Sequence, residues 1–343
     1  MGLPKSKNFS QPHFVDSFFK TSAEMKKFLY LSILFLVLLL FGSCKKKQPQ
    51  DGWNDTLNTG IIKIACDENF KKLMDAEIDA FEAYNELAII NPIYSNENEV
   101  IRLLTEDSVR LAVATRGLNA KEQRTMEEKR MFVRKFLIAF DGITVISNTA
   151  NPDSLIGLLT IKKILKGEIT EWSQINPQSP LGTIRVIFDN NNSGILRYVV
   201  DSLAKGESLS SNLYAMTNSD ELIEKVGELP NAIGILGFNL INGDVNGKTL
   251  DFQKLRMMRI GKEEKATLQN TYLPFAGDIK NEDYPLWREV YVLLSDPRSG
   301  LSSGFSVFLA HDVGQMVILK SGLLPAVIDA QNRSVKIIDG YPE

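Results

Sequence analysis

Residues 60–65 read Gly-Ile-Ile-Lys-Ile-Ala, residues 87–94 Leu-Ala-Ile-Ile-Asn-Pro-Ile-Tyr, and residues 111–115 Leu-Ala-Val-Ala-Thr. Each is a short apolar run of strand length, and the stretches between them carry a different period. Phe70, Leu73, Met74, Ile78 and Phe81 recur at helical spacing after the first run. Asn96, with Glu99 three residues on, is a capping box that opens a second helix with Val100, Ile101 and Leu104 inward. Asn119 and Glu122 repeat the device before a third, highly charged helix. Strand–helix alternation of this kind predicts an α/β fold with a parallel sheet and right-handed crossovers.

The alternation continues beyond this unit. Phe136 to Ser147 is almost continuously apolar, broken by Asp141-Gly142. It exceeds a typical strand of about 5–6 residues, so it predicts two strands joined by a hinge. There the chain would pass from a first lobe, residues 59–141 plus 286–343, into a second, residues 142–285. In the second lobe Thr160 is expected to cap a helix through Lys166, with Gly167 as its stop. A strand over Thr183 to Phe188, a turn from Asp189 to Gly194 and a helix from about Ile195 to Ala204 follow. Ala232 to Phe238 reads as a short strand and Gly243 to Arg259 as turns and a hairpin. Tyr284-Pro285 marks the way back, with Leu286 to Leu294 returning to the first lobe. Phe305, Phe308, Leu309, Val313, Met316 and Val317 then outline one long helix, closed by Gly322 and Pro325.

Ahead of this body lies an export signal. Met25-Lys26-Lys27 is a basic start, Phe28 to Phe41 an apolar run interrupted only by Ser32, and Gly42-Ser43-Cys44 a small-residue ending. The run is shorter than the roughly 20 residues that a membrane-spanning helix needs. Leu40 to Cys44 resembles a lipobox, which implies cleavage of a signal peptide at 25–43 and lipid on Cys44. Residues 1–24 are read as a non-structural extension or a misassigned start, and 44–58 as a flexible tether. The expected product is an exported lipoprotein, held to a membrane through its lipid and facing the periplasm or the cell exterior.

Composition removes several function classes. The formal charge is −3, and the segment before Cys44 carries five lysines against Asp16 and Glu24, so the mature chain is near −6. That balance argues against a nucleic-acid partner. With Cys44 lipidated, Cys66 has no partner for an intramolecular disulfide, and His311 is the sole histidine of the body. A Ser-His-Asp hydrolase or a His-rich metal site has little to work with, so neither an enzyme nor a cofactor is expected.

Several segments together resemble the phosphate-binding component of bacterial phosphate ABC transporters, with a two-lobed type II periplasmic binding protein fold. They are Ala139 to Val145, Leu165 to Trp172, Ala232-Ile233-Gly234, Tyr284-Pro285-Leu286, Gly314-Gln315 and Gly322 to Pro325, together with the Thr115-Arg116 turn. The resemblance implies lobes that close on inorganic phosphate and deliver it to an ABC permease, the binding protein acting as a monomer. It implies ligand contacts at Thr115 and Arg116 after the third strand, at Ser193 and Gly194 in the second lobe, and near Ser95. Asn191 either reaches the ligand or belongs to a plain turn. The chain departs from the family pattern at Asp189, where an arginine is usual, at Ile195, where a threonine is usual, and at Cys66-Asp67-Glu68-Asn69, where hydroxyls are usual. Asp67 and Glu68 either favour their helix from outside the cleft or face the ligand. Asp189 either accepts a ligand proton or pairs with Arg197 or Arg116. The alternatives are a different small solute or an envelope sensor or scaffold on the same fold, and, last, an exported hydrolase.

Overall fold

The structure, a computed structural model, describes residues 55–242, 251 and 253–327. Cys44, the signal segment 25–43, most of the tether and much of the expected hairpin at 243–259 lie outside the described residues. The opening alternation is present in order: β1 (Gly60–Asp67), helix Lys71–Tyr84, β2 (Ala88–Ser95), helix Glu97–Thr105, β3 (Leu111–Ala114) and helix Ala120–Glu128. β1 lies between β2 and β3 and runs parallel to both. One of the two expected capping boxes forms in full, and at Asn96 only the forward half does, because the Glu99 carboxylate is bonded to Arg102. Asn96 Oδ1 accepts the Glu99 N–H at 3.1 Å, and Asn119 and Glu122 cap each other reciprocally.

The apolar run after the third helix is a single strand, β4 (Arg134–Asn148). This corrects the expectation of two strands with a hinge at Asp141-Gly142. Neither residue marks a turn. A Cβ on Gly142 would lie 2.7 Å from the Cβ of Pro274, so the glycine serves close packing. Asp141 is buried and holds Arg288 of the neighbouring strand. The first part of β4 pairs antiparallel with the strand Trp287–Leu294, and the last part with Ala232–Gly237. One strand therefore serves two cores. The first gathers Phe70, Met74, Leu111, Val290 and Phe305 on one sheet face, with Val100, Ile101 and Leu104 on the other. The second gathers Val145, Trp172, Val186, Phe188, Ile233 and Tyr284. There Arg185–Phe188 runs parallel to both Ala232–Gly237 and Leu213–Ala215.

Two helices differ from expectation. Helix Leu158–Lys166 starts directly after the short strand Leu155–Gly157, so Thr160 is buried in its first turn and does not cap it. Its stop is as expected, with Gly167 left-handed at φ 78°. The long helix of the C-terminal region is two, Leu301–Leu309 and Asp312–Lys320. The buried Gln315 side chain donates to the Leu309 carbonyl at 2.6 Å and to Ile138 O at 3.1 Å, tying off the first helix and pinning the corner to β4. His311 therefore sits at an exposed corner, in the position before the second helix, and not inside one.

Glu77 breaks the apolar face of helix Lys71–Tyr84. It is fully buried, neither carboxyl oxygen has a hydrogen-bond partner, and burial pushes its pKa from 4.5 up to about 9. A pKa raised on folding means that stability is full below the unfolded value and is lost as pH climbs toward the folded one. Glu77→Gln is expected to flatten this dependence. The difference in unfolding free energy between pH 5 and pH 7.5 should shrink by on the order of 3 kcal/mol, read from denaturant melts at the two pH values. Equal slopes in both proteins would refute it.

Candidate functional site

In open α/β sheets the carboxyl ends of parallel strands face the ligand crevice. β1 ends at Asp67 and β2 at Ser95, its partner in register, while β3 runs straight into Thr115-Arg116. In the other half, Arg185–Phe188 ends just before Asp189, and Ser193 caps helix Gly194–Tyr198 by accepting the Leu196 N–H at 3.1 Å. These ends meet. Arg197 Nε donates to Glu97 Oε2 at 2.6 Å, and its Nη2 to Thr115 Oγ1 at 3.0 Å. Asn190 Nδ2 reaches Glu68 Oε1 at 3.0 Å, and Asn239 Nδ2 reaches Asn69 O at 2.6 Å.

Of the residues singled out from sequence, Asp67, Thr115, Asp189, Ser193 and Gly194 are all buried at this meeting place. Gly194 lies at its centre. A Cβ there would be 3.0 Å from Arg288 Nη1, 3.0 Å from Thr115 Oγ1 and 3.1 Å from Asp67 Oδ2. Arg116 turns to Glu122, with Nη1 and Nη2 bonds of 2.7 and 3.0 Å, and its Nε stays 3.7 Å from Glu97. Ser95 is half-buried at the end of β2, and Asn191 is exposed on its turn.

The site is acidic and buried. Burial lifts the Asp67 pKa to about 7; Arg288 opposes the rise, while Glu97 and Asp189 add to it. Burial raises Asp189 too, against the hydrogen bonds from the Ser193 hydroxyl and the Asn190 N–H. Glu97 goes the other way. Burial would raise it, but the Arg197 charge and the bonds from Thr115 outweigh that and hold it below the usual carboxylate range. Those bonds come from the Thr115 N–H at 2.8 Å and its hydroxyl at 2.5 Å.

Three contributors escaped the sequence reading: Glu97, Asp141 and Arg288. Glu97 was hidden inside a helix cap and Asp141 behind its glycine. Arg288 had a visible signal, because it lies in phase with Val290, Val292 and Leu294 on one strand face. A charge on a buried face needs a buried partner.

Comparison with known proteins places the fold. Residues 53–313 match the family model described as a PBP superfamily domain. The phosphate-binding protein PstS of Staphylococcus epidermidis is 24% identical over 208 residues, 59% of this chain and 59% of that protein. PstS of Staphylococcus aureus strain USA300 is 24% identical over 209 residues, 60% of each. The chain thus spans about three-fifths of the length of the curated relatives it matches. Among solved structures, a putative phosphate ABC transporter substrate-binding protein with bound phosphate from Clostridium perfringens aligns with a TM-score of 0.63 at 20% identity, over 78% of this chain and all of that one. An ABC-type phosphate transport receptor from Vibrio cholerae gives 0.59 at 19% identity, again over 78% and 100%. At such identities the structures speak for the fold, while the family match covers most of the chain. The protein belongs to the PBP superfamily and has the mixed α/β architecture of type II periplasmic binding proteins.

Proposed function

We propose that this protein is a membrane-tethered, extracytoplasmic solute-binding protein. It captures inorganic phosphate between residues 59–141 plus 286–343 on one side and 142–285 on the other, and hands it to an ABC permease. It works by binding, as a monomer, without a cofactor and without catalysing a reaction. The observation that carries the reading is the convergence on Gly194 of Arg288, Thr115 and Asp67 from the opposite half. Thr115, Ser193 and Gly194 line the ligand, with Arg116, Ser95 and Asn191 around them. The carboxyl groups fit this role when the ligand carries protons. Asp67 Oδ2 and Asp189 Oδ1 are buried without partners; a protonated Asp67 can donate to a phosphate oxygen, and Asp189 Oδ1 can accept an O–H from protonated phosphate. Lipid on Cys44 would keep the body within reach of its permease, on a tether of about a dozen residues.

The acidic cleft makes binding sensitive to pH. An anion beside Asp67 favours its protonated form, so affinity is full below about pH 7 and falls above it. Calorimetry of the mature protein should show phosphate binding that weakens by up to about tenfold per pH unit above that point. Asp67→Asn should flatten the profile, leaving only the contribution of phosphate's own ionisation. Absence of heat at millimolar phosphate would sink the function.

The anchor is tested separately. In cells fed labelled palmitate, wild-type protein should take up label and sediment with membranes, whereas Cys44→Ala should lose the label and leave the pellet. Unchanged labelling would place the lipid elsewhere.

A further inference from the structure

Thr115 and Arg116, two of the side-chain donors that the family pattern assigns to the ligand, are already bonded to carboxylates of this chain. The Thr115 N–H and hydroxyl both go to Glu97 Oε1, and its Oγ1 also accepts from Arg197. Arg116 spends both Nη atoms on Glu122. The Ser193 oxygen is taken by its own helix, accepting the Leu196 N–H at 3.1 Å. Arg197 bonds Glu97 and reaches Asp201 at 3.4 Å. A ligand anion arriving at Thr115, Arg116 or Arg197 would have to displace an internal carboxylate for each bond it gains.

Arg288 is different. It is 3% exposed and lies on Trp287–Leu294, directly across the strand pair from Asp141. Its Nε donates to Asp141 Oδ2 at 3.0 Å, and its Nη2 lies 3.0 Å from the same oxygen without hydrogen-bond alignment. The other edge of the guanidinium is uncommitted. Nη1 has no hydrogen-bond partner, and it lies 3.0 Å from where a Cβ on Gly194 would be, so the two halves approach closely at this atom. The ring of Phe70 lies 5.3 Å from the guanidinium carbon, so an aromatic surface rather than water covers the cation. Near it are further buried polar atoms without partners, Asp67 Oδ2 and Asp189 Oδ1, both on carboxyl groups that feel the Arg288 charge. Buried polar groups are rarely left without partners, and several unpartnered ones around a single cation mark a place for something polar to bind.

We propose that Arg288 is the cation that grips the bound anion in this chain, taking the part that the family pattern gives to an arginine at the position of Asp189. Asp141 is its positioning residue. By holding the Nε edge, it turns the Nη1 edge into the cleft. Arg116 then braces Glu97 and Glu122 and does not carry the ligand's charge. This assignment rests on the anion-binding function proposed above and names the residue that performs it.

Crystals of wild-type protein grown with arsenate provide the direct test, since arsenic is located by its anomalous scattering. The expected result is an arsenate oxygen within hydrogen-bond distance of Arg288 Nη1. Arsenate on Arg116 or Thr115, with Arg288 still bonded only to Asp141, would overturn the assignment while leaving the function standing. No binding of arsenate or phosphate by the wild type, seen as absence of heat, would remove the function and the assignment together. Two variants separate gripping from scaffolding. Asp141→Asn leaves the cation without its internal counter-charge, so the thermal shift produced by phosphate should grow. The paired variant Arg288→Gln with Asp141→Asn, which removes both buried charges together, should lose at least a hundredfold in phosphate affinity. If the pair were purely structural, both variants would bind less tightly in proportion to their lost stability, and that result would refute the proposal.

Discussion

The ion pair between Arg288 and Asp141 is the constraint around which the molecule is arranged. The two residues are cross-strand partners where β4 and the returning strand run side by side, and both are buried. Removing one member of such a pair leaves an uncompensated charge, at a cost of about 3–5 kcal/mol. Both chain passages between the two cores run through this point. Ile143 N–H donates to Leu286 O at 2.8 Å, and the buried Tyr284 hydroxyl donates to Ile143 O at 2.6 Å. The pair therefore fixes how the halves join and sets one wall of the cleft between them.

From that wall outward, the cleft is a balance of carboxylates and cations. Glu97 is held ionised by Arg197 and Thr115, whereas Asp67 is pushed toward protonation by burial among other acids. The two differ because Glu97 collects three hydrogen bonds and Asp67 only one, from the Asn69 N–H at 3.1 Å. A site with one settled and one unsettled carboxylate suits a ligand that brings its own protons. It would serve a fully ionised oxyanion poorly, because every close acceptor would then repel it.

Much of this architecture was legible in the chain because its determinants are local. The spacing of Phe70, Leu73, Met74 and Ile78, and the caps at Asn96 and Asn119, act within a few residues, and they gave the strand–helix order correctly. The errors came where a distant contact overrode a local signal. Asp141-Gly142 looks like a break until Pro274 and Arg288 are placed against it. Ala310-His311 looks like helix interior until Gln315 takes the Leu309 carbonyl. Part of the cleft was legible too, since Asp67, Thr115, Asp189, Ser193 and Gly194 do come together. Glu97 was not, and for Arg288 the strand period signals burial but not its partner, because a side chain's partners lie tens or hundreds of residues away and no periodicity encodes them.

The single, unbroken β4 has a mechanical consequence. A loop hinge swings freely, with little restoring force. Here any rotation of one core against the other must be taken up as extra twist in a two-ply ribbon whose strands are bonded edge to edge. Such a ribbon behaves as a torsion bar, storing work when turned and returning it when released. Opening and shutting would then be elastic, with the rest angle written into the sheet itself.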